Sequence, residues 1–514
     1  MQDRSADPRA ARLTPLVVAG ISFVVYLRTL LPGMAFGDWG EMQTVPHVLG
    51  VAHPTGYPTY IVLSWLAQLA PIGSVAFRSN LLSAGLVAVA LGVTVAIQLR
   101  LGVRPLIAAG ASLALGAVGT VWAAATVAEV NPLHLLFVAL LLHRAMVWEE
   151  RRAPRDLVLG GLLLGLAAGN HLLILFVAPL IVAYVLWVGR REIAADPRIL
   201  ALTVAAGLVG LSTYLYIPLA ASQSPVLAYN HPVTLDAVLW LVSGEQFRGQ
   251  FGFLSPTGLS DLVSALPALW SLAIDQATPI LPILGAAGLG LLGRRRPALG
   301  LTLIGILVLD VYIWANYLRL EHYLLVGWLV IALGAAAALE AVAQALDGRL
   351  PWSRTPSMVR AGTLVGAAAV VLAAGLAATN WQGADRSADR TAETYVDAVL
   401  AALPPDAAIL SEWDASTPLW HASFVLSRRL DVLIVDDTDI VYGGWVSRER
   451  RIAALICDRP VFMLRIREAD LAPTRADYAL EPVIAVRVAE GGPSAAVART
   501  LYRIVPLDAE TCAE

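Results

Sequence analysis

The chain has 514 residues, of which 58% are hydrophobic and 15% are charged, and its formal net charge is −3. This composition is typical of an integral membrane protein, and the near-neutral charge argues against a nucleic-acid partner. The two cysteines, Cys457 and Cys512, have no metal-ligand spacing.

The first apolar run, residues 13–31, predicts a transmembrane helix. Three arginines precede it: Arg4, Arg9 and Arg12. Because cytoplasmic segments carry an excess of basic residues, residues 1–12 are expected on the cytoplasmic side of the membrane. The membrane itself is expected to be the cell membrane (inner or plasma membrane). Residues 32–79 then form a first loop on the outer face.

Within this first outer loop, residues 36–58 (FGDWGEMQTVPHVLGVAHPTGYP) concentrate ionisable and turn-forming residues. Asp38 and Glu41 are three residues apart, so one helical turn would point both carboxylates the same way. Ionisable groups held at a membrane surface indicate a functional site, although Asp followed three residues later by Glu also resembles a helix-capping box. The spacing leaves both interpretations open.

Further apolar segments predict about eleven spans within residues 13–378. After the first span they are 80–99, 106–121, about 131–144, 157–168, about 171–190, 200–219, 279–292, 299–314, 323–346 and 362–378. Residues 57–72 could also span, but that would reverse the arginine bias downstream, so we expect a helix lying on the outer surface. A second outer loop is expected at residues 220–259, and the C-terminus is expected outside.

Residues 379–514 indicate an extracytoplasmic α/β domain. Strands are expected at 408–411, 432–435 and 461–465, helices at 395–403, 417–429 and 448–457, and a strand-rich segment at 483–505. Apolar strands that alternate with helices predict a mainly parallel sheet. No glycine-rich phosphate loop follows the first strand, so nucleotide binding is not expected. A disulfide between Cys457 and Cys512 is chemically feasible outside the cytoplasm.

The motifs GDWGE (residues 37–41) and GVAHPTGYP (residues 50–58) resemble the first outer loop of a family of multi-spanning membrane proteins. That family includes a vertebrate transmembrane protein O-mannosyltransferase and belongs to the GT-C glycosyltransferase superfamily. Its usual pattern is G-D-S-G-E and then G-V-A-H-P-P-G-Y-P, from which Trp39 and Thr55 depart. The resemblance implies a GT-C-like transmembrane domain in residues 13–378 and a polyprenyl- or dolichyl-phosphate sugar donor.

Sugar transfer from a lipid phosphate needs a base for the acceptor hydroxyl and cationic or hydrogen-bonding groups for the leaving phosphate. In GT-C enzymes a carboxylate of the first outer loop is the base, so the resemblance implies this role for Asp38. Glu41 is the alternative base or an orienting partner, and repulsion between the two would raise one pKa. No cofactor is expected to be required, although this pair could bind a divalent metal ion weakly.

Candidate contacts to the donor sugar or phosphate include His53 and Tyr57, which lie between two proline-stiffened turns. His53 could instead cap the helix that follows. Four arginines break the cytoplasmic bias: Arg28, Arg78, Arg248 and Arg319. Of these, Arg78 at the start of the second span is the first candidate for phosphate, and Arg319, which clusters with His322, is the next.

Polar residues at other outer span ends are expected to contact the acceptor or to support the site. Six are candidates: Glu129, Asn131, Asn170, His171, Asn230 and His231. Each of the first four lies in a segment that resembles the family, and each could simply cap a helix. The segment 229–232 replaces the Trp-Gly-Asp-Pro usual in the family, and Ala220 stands where arginine is common, so the donor sugar stays open.

The sequence thus predicts an inverting glycosyltransferase that moves a hexose, mannose by the resemblance, from a polyprenyl-phosphate carrier to an acceptor hydroxyl. The acceptor could be a protein, a glycolipid or a polysaccharide. One alternative is a lipid or small-molecule transporter or flippase, but such proteins usually carry mid-membrane charges and internal repeats. A non-catalytic membrane assembly protein is another alternative.

Overall fold

The computed structural model describes residues 8–250, 258–349, 361–442, 444–489 and 496–507. Helices form the part of the chain before residue 385. In chain order they are α1 (Pro8–Thr29), α2 (Gly37–Thr44), α3 (Pro58–Gln68), α4 (Val75–Arg100), α5 (Pro105–Gly116), α6 (Gly119–Ala125), α7 (Asn131–Arg151), α8 (Pro154–Ala168), α9 (Ile174–Ala195), α10 (Arg198–Leu211), α11 (Tyr216–Ser222), α12 (Leu235–Val242), α13 (Gly258–Ala277), α14 (Ile280–Arg295), α15 (Pro297–Asn316), α16 (Leu325–Arg349) and α17 (Ala361–Ala384).

Within these ranges, eight helices are long and apolar enough to cross a membrane, and two bent pairs raise the number of spans to ten. The pair α5 and α6 bends by 74°, and the pair α13 and α14 bends by 111°. The predicted multi-spanning helical architecture is therefore confirmed. The remaining predicted span, residues 157–168, falls on α8, whose 15 residues rise only about 22 Å. It nevertheless runs between the two ends of α7, since Asp156 pairs with Arg144 at one end and Asn170 donates to the Val130 carbonyl at the other.

The helix after the first loop is too short to be a span. α3 has 11 residues, which rise about 16 Å. Its Val62 and Leu66, and Leu69 just after its end, are exposed hydrophobic residues. A short helix with an exposed apolar face agrees with the helix expected at residues 57–72 to lie along the surface.

Neighbouring spans approach one another closely at glycine. A Cβ atom on Gly165 of α8 would lie 2.0 Å from the carbonyl oxygen of Gly207 of α10. A Cβ atom on Gly288 of α14 would lie 1.7 Å from the carbonyl oxygen of Gly334 of α16. Because lipid is as apolar as the side chains, close van der Waals packing at small residues is what holds such helices together.

The C-terminal domain contains α18 (Thr391–Ala402), β1 (Ala408–Ser411), α19 (Trp413–Trp420), β2 (Leu433–Val435), α20 (Asp437–Tyr442), α21 (Arg448–Ala453), β3 (Val461–Leu464), α22 (Ala472–Asp477), β4 (Tyr478–Ala489) and β5 (Ala496–Pro506). The strand order is β2-β1-β3-β5-β4. Cys457 is disulfide-bonded, and Cys512, its predicted partner, lies outside the described residues.

The sheet is mixed, whereas the sequence predicts a mainly parallel one. β1 is parallel to both β2 and β3, while β5 is antiparallel to β3 and β4. Consecutive strands without an intervening helix pair antiparallel, because a parallel pair needs a long crossover connection. The parallel prediction therefore holds only for the three strands that alternate with helices.

The C-terminal domain rests directly on the first loop. Phe36 is buried in the core of that domain and lies against Tyr395, with the ring centroids 5.4 Å apart. On α2, a Cβ atom at Gly40 would lie 2.8 Å from Thr417 Oγ1 of α19. Thr44 Oγ1 is 3.2 Å from Nδ1 of His421, just after α19. The loop that carries Asp38 is thus held between the bundle and the C-terminal domain.

The described part of the second predicted outer loop returns to the first loop. The Val51 N–H donates to the Leu227 carbonyl, and the Tyr229 N–H donates to the Val51 carbonyl, each over 3.0 Å. These bonds form an isolated parallel bridge between Val51 and Ala228. Residues 251–257 of this predicted loop are outside the described residues.

Candidate active site

A cavity of about 780 Å³ opens where the bundle meets the C-terminal domain. Its walls come from the first loop, the α8–α9 connection, the segment 243–248, the segment 317–323 and the start of α19. Seven of the residues predicted from the sequence line it: Asp38, His53, Tyr57, Glu129, Asn131, His171 and His322. The cavity therefore brings together groups from four separate parts of the chain.

Asp38 presents its carboxylate to this cavity. It is the second residue of α2, which begins at Gly37, where φ is +59°. A Cβ atom at position 37 would lie 2.4 Å from Asp414 Oδ1, so only glycine lets the loop turn this closely beneath α19. The Asp38 side chain is 59% exposed, and its Oδ1 accepts a 2.7 Å hydrogen bond from the indole N–H of Trp413.

Glu41 lies behind Asp38 and is paired with His53. Its side chain is only 2% exposed. Glu41 Oε1 accepts a 2.8 Å hydrogen bond from the His53 backbone N–H, and its Oε2 lies 2.5 Å from His53 Nδ1. Both Glu41 oxygens are thus engaged by one residue, so Glu41 orients His53.

The electrostatics of this pair favour a positively charged imidazole. Burial alone would lower the pKa of His53, but the carboxylates of Glu41 and Asp38 outweigh it and raise that pKa to about 9. Burial raises the pKa of Glu41, and the facing imidazolium opposes that rise. Because the imidazolium contacts one Glu41 oxygen and the His53 backbone N–H donates to the other, we take the pair to be ionised at neutral pH.

Tyr57 completes a directed chain of hydrogen bonds from Glu41. An imidazolium has two N–H donors, so Nε2 of His53 donates to the Tyr57 hydroxyl 2.9 Å away. The Tyr57 hydroxyl in turn donates to the Pro54 carbonyl over 3.0 Å. His53 Nε2 also lies 4.0 Å from Asp38 Oδ2. His53 therefore places a positive charge beside the exposed carboxylate.

Of the candidates at the other span ends, some line the cavity and others stabilise the ends of helices. Glu129 Oε1 accepts from the Val130 N–H over 2.8 Å and from the Asn131 side chain over 3.0 Å, an arrangement that stabilises the start of α7. Asn170 is buried and donates to the Val130 carbonyl over 3.2 Å. These contacts match the helix-end alternative, while Glu129 and Asn131 also reach the cavity.

His171 is a neutral member of the cavity wall. Burial holds its pKa well below the ordinary range. Its Nδ1 accepts a 3.1 Å hydrogen bond from the Leu173 N–H, so the proton of the neutral ring is on Nε2. The ring lies between Tyr57 and Tyr323, with centroids 5.7 Å and 5.9 Å away. His171 thus offers a neutral N–H donor at the cavity wall.

The arginines are arranged differently from the sequence prediction. Arg78 and Arg319 are not among the residues that line the described cavity, and Arg78 donates to the Ala70 carbonyl instead. Arg248 does line it and is ion-paired with Glu245 over 2.9 Å. Of the four arginines that break the predicted cytoplasmic bias, Arg248 is therefore the one that lines the described cavity.

A second, smaller cavity of about 250 Å³ is lined by three of the candidates: Glu41, Asn230 and His231. Tyr229 and Trp413 line both cavities and form part of the wall between them. Asn230 and His231 therefore do not line the cavity that contains Asp38.

Comparisons with known proteins agree with this fold. Residues 38–194 match the family model described as the Protein O-mannosyl-transferase TMEM260 N-terminal domain. The predicted family resemblance is confirmed.

The chain is 27% identical over 457 residues to Protein O-mannosyl-transferase TMEM260 of Mus musculus, covering 84% of this chain and 63% of that protein. It is 26% identical over 212 residues to the tmem260 protein of Dictyostelium discoideum, covering 38% of this chain and 26% of that protein. The matches thus span less than two thirds of these curated relatives.

Solved structures share the fold. ArnT from Cupriavidus metallidurans, in a crystal structure with undecaprenyl phosphate, superimposes with a TM-score of 0.62 at 16% identity, covering 95% of this chain and 97% of that one. The arabinofuranosyltransferase AftD from Mycobacteria gives a TM-score of 0.50 at 14% identity, covering 99% of this chain and 41% of that one. The chain therefore has the GT-C fold that the sequence predicts.

The two departures from the TMEM260-type loop pattern both contribute to the site. Trp39, which stands where serine is usual, donates its indole N–H to Glu129 Oε2 over 3.1 Å. The Arg386 guanidinium lies 4.9 Å over its ring. Thr55, which replaces a proline, lines the main cavity. Trp39 thus joins the first loop to the start of α7 and to the segment before the C-terminal domain.

The donor atoms of Asp38, Glu41 and His53 lie within 4.8 Å of one another and are a geometric candidate for a metal site. The residues do not fit a metal as they stand. Both Glu41 oxygens accept from His53, and Nε2 of His53 faces the Tyr57 hydroxyl. We therefore derive no chemical step through a metal ion.

The C-terminal domain adds groups that the sequence analysis missed. Glu412, Trp413 and Asp414 follow β1 directly and line the main cavity, as do Asp436 and Asp437 after β2. The carboxyl ends of neighbouring parallel strands meet at one edge of a sheet, and this edge faces the bundle. The sequence feature that could have identified these groups is that polar residues directly follow two of the predicted strands.

Proposed function

We propose that this protein is an inverting glycosyltransferase that moves a hexose from a polyprenyl-phosphate carrier to an acceptor hydroxyl. The observation that carries this proposal is the exposed carboxylate of Asp38 at the wall of a large cavity, held by one N–H donor and flanked by an imidazolium. A carboxylate that is accessible and oriented can act as a general base. The GT-C fold and the TMEM260-type domain support the assignment.

In the proposed reaction, Asp38 takes the proton of the acceptor hydroxyl as its oxygen attacks the anomeric carbon. The bond from that carbon to the phosphate oxygen breaks, and the phosphate leaves with the electron pair. Because attack and departure occur on opposite faces in one displacement, the anomeric configuration inverts. Arg248 is the described cationic side chain of the cavity wall that is suited to the leaving phosphate, and His171 offers a neutral donor.

The donor is proposed to be a mannose-charged polyprenyl phosphate. The names of the two curated relatives state protein O-mannosyl transfer, and the ArnT structure is described as bound to undecaprenyl phosphate. Both statements concern those proteins and support the proposal here. A protein hydroxyl is accordingly the first acceptor to test, with glycolipid and polysaccharide as the other outcomes. We further propose that transfer needs no metal ion, because His53 engages both Glu41 oxygens.

The site is proposed to face the outer side of the membrane. α7 begins at Asn131 beside the cavity and ends at Arg151, and α4 ends at Arg100. Arg100 is ion-paired with Glu150 next to the end of α7, so these arginines are at the end of the bundle away from the cavity. Basic residues are in excess on the cytoplasmic side of membrane proteins, which supports an outer position for the cavity and the C-terminal domain.

The test compares wild-type protein with Asp38→Asn for transfer of radiolabelled mannose from polyprenyl-phosphate-mannose to membrane acceptors. We expect the substitution to lower transfer by about 10²- to 10⁴-fold, because it removes the base. Asp236→Asn, on α12 outside the cavity lining, is the matched control and should keep wild-type transfer. Melting temperatures of all three proteins are measured in one detergent.

Equal transfer by Asp38→Asn and wild type would refute the assignment of the base. Lipid movement across vesicles that is unaffected by Asp38→Asn, without sugar transfer, would instead support the flippase alternative. Anomeric analysis of the product decides between inversion and retention.

A further inference from the structure

Trp413 connects the C-terminal domain to the carboxylate of Asp38. It is the first residue of α19, directly after β1 and Glu412. Its indole N–H donates to Asp38 Oδ1 over 2.7 Å, across a sequence separation of 375 residues. Asp38 Oδ2 is the oxygen nearer to His53, 4.0 Å from its Nε2. The two oxygens of Asp38 therefore have different surroundings.

Three aromatic rings hold the Trp413 indole in place. Its centroid is 5.6 Å from that of His53 at an interplanar angle of 83°, 6.0 Å from that of Tyr229 at 74°, and 5.4 Å from that of Trp420 at 86°. All three contacts are edge-to-face, a favourable geometry for aromatic pairs. An indole packed in this way cannot turn its N–H away from Asp38 without losing these contacts.

The backbone that carries Trp413 is also tightly positioned. The Glu412 side chain accepts a hydrogen bond from the Ile466 N–H, which ties the start of α19 to the segment after β3. On the facing helix α2, a Cβ atom on Gly37 would lie 2.4 Å from Asp414 Oδ1, and a Cβ atom on Gly40 would lie 2.8 Å from Thr417 Oγ1. Side chains of α19 thus lie directly against the glycine backbone of α2, and this packing fixes the distance between Asp38 and Trp413.

We propose that Trp413 is a positioning residue of the transfer reaction, whose indole N–H holds one oxygen of Asp38 so that the other receives the acceptor proton. This inference rests on the proposed function, in which Asp38 is the base. Asp38 is more than half exposed, and without the indole its carboxylate could rotate among several rotamers. The site is then complete only when the C-terminal domain is docked on the first loop.

The experiment measures kcat and KM for mannose transfer separately in Trp413→Phe, which keeps an aromatic ring but has no N–H. A hydrogen bond to a charged group that holds the base in place corresponds to about tenfold in rate, so we expect kcat to fall about tenfold while KM stays within about twofold of wild type. Trp445→Phe in the same domain is the matched control, because Trp445 is absent from the lining of both described cavities.

Two further variants separate the N–H from the shape of the side chain. Trp413→His retains a ring N–H, because the position of histidine Nε2 corresponds to that of indole Nε1, and should keep kcat within about threefold of wild type. Replacement of Trp413 by 3-benzothienylalanine keeps the bicyclic shape and exchanges the N–H for sulfur, so it should lower kcat as phenylalanine does even if Trp413→Phe fails to fold.

A wild-type kcat in the benzothienyl variant would overturn the proposal, as would a raised KM with unchanged kcat, which indicates a purely structural role. An equal loss of kcat in Trp413→His would also overturn it. Asp38→Asn, measured in parallel, keeps the two proposals apart. Wild-type transfer by Asp38→Asn removes the base assignment itself, whereas inactive Asp38→Asn with wild-type kcat throughout the Trp413 series removes only the positioning role.

Discussion

Removal of the Glu41 charge should change how the stability of this protein depends on pH. Glu41→Gln keeps the size of a side chain that is 2% exposed but removes the carboxylate that faces the His53 imidazolium. In the native protein the pKa of His53 rises from its ordinary value of 6.5 to about 9. Without Glu41, burial is opposed mainly by Asp38, and the pKa of His53 should fall toward or below its ordinary value.

The magnitude follows from the linkage between protonation and folding. A rise in pKa of about 2.5 pH units corresponds to about 3 kcal/mol. Because the folded-state pKa is raised, this stabilisation is fully present below about pH 6.5 and is lost as pH rises through about 9. For a cooperative unit of this size, about 3 kcal/mol corresponds to a change in melting temperature of about 3 °C.

The assay is the melting temperature in one detergent, followed by tryptophan fluorescence from pH 6 to pH 9.5. Wild type should lose about 3 °C across this range through His53, while Glu41→Gln should start lower and lose less. Glu150→Gln removes one partner of a more exposed ion pair with Arg100 and should behave as wild type within about 1 °C. A Glu41→Gln profile parallel to that of wild type would show that this pair is not charged in the folded protein.

Two further predictions concern the docking of α19 and the absence of a metal requirement. Gly40→Ala places a methyl group 2.3 Å from the Ala35 carbonyl oxygen and 2.8 Å from Thr417 Oγ1, and should lower stability by about 1–3 kcal/mol and reduce transfer. Gly20→Ala, with no heavy atom within 4 Å, is its control, and equal melting curves for the two would contradict the close packing. Treatment with EDTA should leave transfer within about twofold of the untreated protein, because His53 donates to both Glu41 oxygens. If EDTA abolishes transfer and a divalent cation restores it, the Glu41–His53 pair opens to bind metal.

Much of the architecture is predictable because membrane spans are a local property of the sequence. A run of about 20 apolar residues satisfies its backbone only as a helix in lipid, so composition along the chain is enough to place most spans. The same logic places α8, which has only 15 residues but runs between the two ends of α7. The strands that alternate with helices were also predictable, whereas the antiparallel β4–β5 pair was not distinguished from them.

For the site, the sequence alone indicates the first-loop residues that could carry the chemistry. The first-loop motif marks Asp38, His53 and Tyr57, and all three line the main cavity. Their spacing could not tell an exposed carboxylate from a buried one. The loop after α2 brings residue 53 back over residue 41, so His53 encloses Glu41 while Asp38 faces the cavity. This path depends on several turns between the two residues.

The packing of distant segments determines which groups join Asp38. Arg248, rather than Arg78, reaches the cavity because the chain on both sides of α12 returns to the first loop: Ala228 bridges Val51 before this helix, and the Phe247 ring lies 6.5 Å from that of His53 after it. Trp413 reaches Asp38 across 375 residues of sequence because glycine at positions 37 and 40 lets α19 approach the backbone of α2. Apolar periodicity and motif spacing describe the chain over one or two helical turns, and such contacts arise only when separate elements pack together.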